Sequence, residues 1–142
     1  MVAVVAVGCP DHRLAGAAKI IDGDTLEVEG RRIQLRGIDA PEGDDLCESE
    51  RGVSWPCGRE AADALRAFVA GRRVTCDDAR LDDEGTLWGT CTVAEEDLAA
   101  WLVFEGWARA DRQQSTAYSE RELEARREHR GLWRDGEPKR VP

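Results

Sequence analysis

A chain of 142 residues, 42% hydrophobic and 35% charged, is long enough for one domain with a real core, and its charge is spread rather than blocked as in a disordered segment. No run of about 18 apolar residues is present, which argues against a membrane-spanning helix. A net charge of -9 argues against a generic basic coat for nucleic acid. The charge is uneven, because residues 112–142 carry eight Lys or Arg against six Asp or Glu, leaving -11 on the rest. A polyanion would therefore approach through bound metal or a local basic strip, and the plainer reading of the imbalance is a solubilising surface.

The first segment, residues 1–14, begins MVAVVAVG. It reads as a signal-peptide remnant, as a lipoprotein-like site before Cys9, or as a plain terminus. Residues 15–134 hold the elements of a single domain. Residues 15–21 read as a first strand, and Asp22-Gly23-Asp24 as a tight turn in which Gly23 permits a positive φ. Residues 25–29 alternate apolar and polar, as a half-exposed strand does. After a turn at Glu29-Gly30-Arg31, Ile33, Leu35 and Ile38 face one side of a third strand, with Gln34 and Arg36 on the other.

Residues 43–57 read as a charged loop bracketed by Cys47 and Cys57, and residues 58–70 as a helix with Ala61, Ala64, Leu65, Phe68 and Val69 on one face. Strands are expected over 73–76 and 87–93, joined by an acidic turn over 77–85. A second helix over 95–104 would carry its acids in the first turn, where the macrodipole favours them. Residues 107–116 look irregular, and Ser119-x-x-Glu122 is a capping box opening a third helix that runs to about Arg130. Residues 135–142 read as a polar tail without structure. Five strands and three helices make a mostly β, α+β chain that fits a five-stranded OB-fold barrel, with an α+β sandwich as the runner-up.

Cys9, Cys47, Cys57, Cys76 and Cys91 lack a Cys-x-x-Cys pair, and His12 and His129 lie far apart, so structural zinc is not expected. Two bridges and one odd cysteine are the simpler reading. Cys47–Cys57 would pin the loop, and Cys76–Cys91 would join neighbouring strands. Bridges imply an oxidising compartment, hence a secreted or periplasmic protein.

The acidic clusters Asp22-Gly23-Asp24 and Asp39-Ala40-Pro41-Glu42 flank the strands that follow the first. Folding those strands back would converge four carboxylates, which repel unless a cation or shared proton offsets them. On turn chemistry alone these are also good capping residues. The five tryptophans read as core or loop anchors, Tyr118 as helix-flank packing, and Arg126, Arg127 and Arg130 as a solvated face.

Asp22-Gly23-Asp24-Thr25, an alternating strand, and then Gly37-Ile38-Asp39-Ala40-Pro41-Glu42 resemble the signature of the staphylococcal nuclease family. The likeness extends over roughly residues 15–134, to the final Arg130-Gly131-Leu132-Trp133. It implies an OB-fold and calcium-dependent hydrolysis of DNA or RNA, and a monomer is expected. It implies Asp24 and Asp39 as metal carboxylates, the Ala40 carbonyl as a third ligand, Asp22 behind them, and Glu42 as general base on water. A hard cation held by oxygen donors suits that chemistry.

Where the resemblance implies two phosphate-clamping arginines, this chain has Gln34 and Thr86. Arg36, two residues beyond Gln34 and about 7 Å further along the strand, is the candidate substitute, and Arg80 lies near the second gap. Loss of both cations would weaken catalysis. The alternative is a catalytically degenerate OB-fold that binds a ligand or a protein partner.

Overall fold

The computed structural model describes residues 13–141, so Cys9 and His12 lie outside the described residues. The chain opens with β1 (Arg13–Gly16), β2 (Ala18–Asp22), β3 (Thr25–Val28) and β4 (Arg31–Leu35). Leu26, Val28, Ile33 and Leu35 point inward and are buried, while Glu27, Arg32 and Gln34 stand on the outer face. That is the alternation read from the sequence. After β5 (Ile38–Asp39), the segment expected to be a plain loop contains a small hairpin, β6 (Leu46–Glu48) and β7 (Ser54–Trp55). Helix α1 (Cys57–Val69) follows and buries Ala61, Ala62, Leu65 and Val69.

The expected acidic turn over 77–85 is shorter, because residues 77–81 continue the strand and the turn begins at Asp82. Strand β8 runs from Val74 to Leu81, with an irregular register between Asp77 and Arg80 where Asp78 takes φ 56°. It pairs with β9 (Leu87–Val93), whose inward residues are Leu87, Gly89, Cys91 and Val93. Gly89 is needed for packing, since a Cβ there would lie 2.7 Å from the Ile33 side chain.

The main sheet runs β1-β8-β9-β4-β3-β2, with β4 and β9 parallel and the other neighbours antiparallel. Its two ends, β1 and β2, are halves of one strand bent at Gly16-Ala17. The sheet therefore curls back on itself into an OB-like barrel, and the fold is mixed α+β with three helices. Each fully buried Leu or Ile of this core contributes about 1.5–3 kcal/mol. Both expected bridges are present, Cys76–Cys91 between directly opposed residues of β8 and β9, and Cys47–Cys57 between β6 and the start of α1.

The second helix differs from its expected form. Ala94 and Glu95 adopt positive φ and turn the chain into β10 (Glu96–Asp97), so α2 (Leu98–Phe104) has no acid in its first turn. Asp97 is instead its N-cap. One carboxylate oxygen accepts from the N–H groups of Ala99 and Ala100, and the other accepts from the Tyr118 hydroxyl at 2.7 Å. Tyr118 is buried there as helix-flank packing, and burial together with Asp97 pushes its pKa up.

Beyond α2, β11 (Arg109–Ala110) pairs with β5, and α3 (Ser119–Arg127) follows. The capping box does not form. Glu122 is buried, accepts from the Ala110 N–H at 2.7 Å and pairs with Arg126, so it ties α3 to β11. A 3-10 turn, Gly131–Trp133, folds back onto the body. The tail is not structureless, because β12 (Lys139–Val141) adds to β6. Arg126 is not merely solvated either, since its guanidinium stacks on the buried Trp133 ring at 4.2 Å.

Because Asp97 serves both the cap and the tyrosine, Asp97→Ala should cost about 2–3 kcal/mol in chemical denaturation. Tyr118→Phe, which leaves the cap intact, should cost about 1 kcal/mol.

Candidate active site

The two acidic clusters meet at the mouth formed by the β2–β3 turn and the segment after β5. Asp22 ends β2, and its side chain accepts from the Asp24 N–H at 3.3 Å, which shapes the turn. Gly23 is required by close approach, since a Cβ there would lie 2.9 Å from the Ala40 Cβ and 3.1 Å from the Ala61 Cβ in α1. The turn thus seats directly on the Asp39-Ala40-Pro41 segment. Asp24 is only 7% exposed, and its carboxylate accepts from the Ala40 N–H at 3.0 Å and from the Thr25 hydroxyl at 3.2 Å. The Thr25 hydroxyl also lies 3.4 Å from the Gln34 side-chain oxygen, but its single proton goes to the nearer, charged acceptor.

Asp24 has its pKa raised from 3.8 to about 7. Burial is the largest cause; the Ala40 hydrogen bond opposes it, while Asp22 adds to it by a side-chain hydrogen bond and like charge, and Asp39 by like charge. So Asp22, Asp24 and Asp39 do gather electrostatically. Each Asp24 oxygen accepts one of these two hydrogen bonds and keeps a lone pair, a donor set suited to a hard cation. Among the described residues, however, no three His, Cys, Asp or Glu side chains form a ready metal cage. Any ion here would draw on the backbone carbonyl of Ala40 and on water as well.

Asp39 stands opposite Arg109 in the β5–β11 pair and borders a cleft of about 450 Å3 that also contains Arg112 and Arg126. Glu42 is exposed, and its backbone is held firmly. Its N–H donates to Asp45 at 2.8 Å and its carbonyl accepts from the Asp45 N–H at 2.9 Å. Gly58 in α1 packs so close that a Cβ would fall 1.7 Å from the Glu42 carbonyl oxygen. Asp45 and Gly58 are contributors that sequence reading missed, because neither carries a signal until α1 is docked beside the loop.

Arg36 does not project toward these carboxylates. Its guanidinium pairs with Asp78 at 3.4 Å and donates to the carbonyls of Asp78 and Trp88, both at 3.2 Å. Arg80 sits in β8 opposite Trp88 and also pairs with Asp78. Gln34 and Thr86 do come together, lining one cleft of about 250 Å3 with Arg32, Gly85 and Leu87.

A family model described as staphylococcal nuclease homologue matches residues 32–135. Among similar proteins, a succinoglycan biosynthesis protein, ExoI, of Rhizobium meliloti is 40% identical over 124 residues, covering 85% of this chain and 65% of that protein. An uncharacterized endonuclease of Escherichia coli is 31% identical over 127 residues, covering 84% of this chain and 76% of the relative. A probable staphylococcal-like nuclease, CAN3, of rice (Oryza sativa subsp. japonica) is 30% identical over 145 residues, covering 93% of this chain but 36% of that protein. The chain thus spans under two thirds of the rhizobial and rice relatives.

The raised Asp24 carboxyl sets a pH signature. A carboxyl whose folded pKa exceeds its unfolded one costs nothing below the unfolded value of 3.8, and its penalty grows as pH rises toward about 7. Metal-free protein should therefore lose stability over that window, and Asp24→Asn should abolish the loss. At pH 8 without metal the variant should be the more stable by about 2–4 kcal/mol, measured by denaturant titration across pH.

Proposed function

The chain belongs to the staphylococcal nuclease family, and on that footing we propose that it is a metal-dependent phosphodiester hydrolase acting on DNA or RNA. The observation that carries the reading is the buried Asp24 carboxylate, crowded by Asp22 and Asp39 and hydrogen-bonded to Ala40. Asp24, Asp39 and the Ala40 carbonyl would hold calcium, with Asp22 behind them. Bound calcium would orient the anionic substrate and offset negative charge as the bond breaks. Glu42 takes a proton from the attacking water, a role its exposure and firmly held backbone suit. Gln34 and Thr86 supply no charge, and the Arg36 guanidinium is engaged with Asp78, so turnover should be weak. Each missing fixed cation is worth about 3 kcal/mol of transition-state stabilisation.

Secretion or a periplasmic location is supported by the two bridges, and no helix among the described residues is long and apolar enough to cross a membrane. We take the working unit to be a monomer. The neutral cleft at Gln34 and Thr86 favours a second reading, a degenerate OB-like module that binds a ligand or a protein partner.

Digestion of DNA and RNA with calcium separates the two. Under the first reading the native protein cuts, chelation stops it, and Glu42→Gln slows it by about a hundredfold or more. If the native protein is inert while Gln34→Arg/Thr86→Arg cuts, the degenerate reading holds. Independently of activity, calcium at pH 8 should raise the Tm of the native protein and leave that of Asp24→Asn unchanged.

A further inference from the structure

The arginines of the barrel and its helices differ in what they are bound to. Arg36 and Arg80 both pair with Asp78. Arg109 and Arg126 share Glu137 and flank the Trp133 ring. Arg66 is held by Asp63 and Arg134 by Glu60. Arg32 is exposed, and among the described residues its side chain makes no ion pair and no hydrogen bond, although Glu27 is its neighbour across β3 and β4. Its side chain lines the cleft of about 250 Å3 that Gln34, Gly85, Thr86 and Leu87 complete. Gln34 in its wall lies 3.4 Å from the Thr25 hydroxyl, which in turn donates to Asp24, so the cleft wall borders the acidic mouth.

We propose that Arg32 is the anion-binding residue of this cleft, and that it holds the phosphate next to the one being cut. The inference rests on the hydrolase reading above and narrows its substrate to a nucleic-acid strand with at least two consecutive phosphodiesters. Arg32 and Gln34 are two residues apart on β4, so they share a face and lie about 7 Å apart along it. That offset is on the scale of one nucleotide step in an extended strand. A guanidinium there stands one such step from Gln34, well placed for the neighbouring phosphate. An arginine without a carboxylate partner has no ion pair to break before it binds one.

The test has a binding arm and a kinetic arm. Binding of a labelled single-stranded oligodeoxynucleotide is titrated against salt on Glu42→Gln, in which cutting is slowed about a hundredfold or more, and on Glu42→Gln/Arg32→Gln. Loss of one phosphate contact should weaken binding about tenfold and flatten the log–log salt slope by about 0.7. In the kinetic arm, kcat/KM is compared for an oligonucleotide and for a dinucleotide, which has a single phosphodiester. The preference for the oligonucleotide should fall about tenfold in Arg32→Gln, through KM rather than kcat, and Arg32→Lys should recover most of it. An unchanged salt slope and an unchanged preference in Arg32→Gln overturn the assignment of Arg32 alone. Native protein that neither binds nor cuts the oligonucleotide overturns the hydrolase reading and this inference with it.

Discussion

The hydrogen bond from the Ala40 N–H to the buried Asp24 carboxylate joins the two halves of the acidic stretch. It is made possible by a glycine, since any side chain at Gly23 would push the turn off Ala40 and α1. Once the turn is seated, Asp24 is out of water, and its neighbours Asp22 and Asp39 raise its proton affinity further. The backbone that presents Glu42 is anchored just beyond, through Asp45, Gly58 and the Cys47–Cys57 bridge. Barrel, helix and disulfide thus fix the same few residues from different sides.

The barrel strands were legible because one face of each is buried and the period of two shows through, as in Leu26, Val28, Ile33 and Leu35. The helices were legible in number. Their ends were harder to read, because tertiary partners claimed the capping groups. Glu122 went to the Ala110 N–H instead of its own helix end, and Asp97 became a cap shared with Tyr118. The second half of β8, residues 77–81, was read as part of an acidic turn because Asp77 and Asp78 are poor strand formers, yet pairing with β1 and β9 outweighs that preference. The tail strand β12 has no apolar period to announce it; it exists because β6 offers an edge.

At the site, the residue types and the meeting of the two clusters were readable from spacing, but the commitments of the arginines were not. Arg36 and Arg32 flank Gln34 symmetrically in the sequence, on the same face of the same chain segment. Their surroundings separate them: Arg36 lies just past the end of β4 and is held by Asp78 and the Trp88 carbonyl, whereas Arg32 faces Glu27 across the β3–β4 pair. A charge is available to a substrate according to what already holds it, and that depends on residues some forty positions away in the chain.

The bent strand that closes the barrel has a further consequence. Because β1 and β2 are the two ends of one sheet and also one continuous segment, the sheet offers only half-strand stretches of open edge. Short edges give a second chain little backbone on which to add a strand, and a surface with net charge -9 repels its own copies. The same closure that shapes the acidic mouth therefore disfavours edge-to-edge aggregation at high concentration.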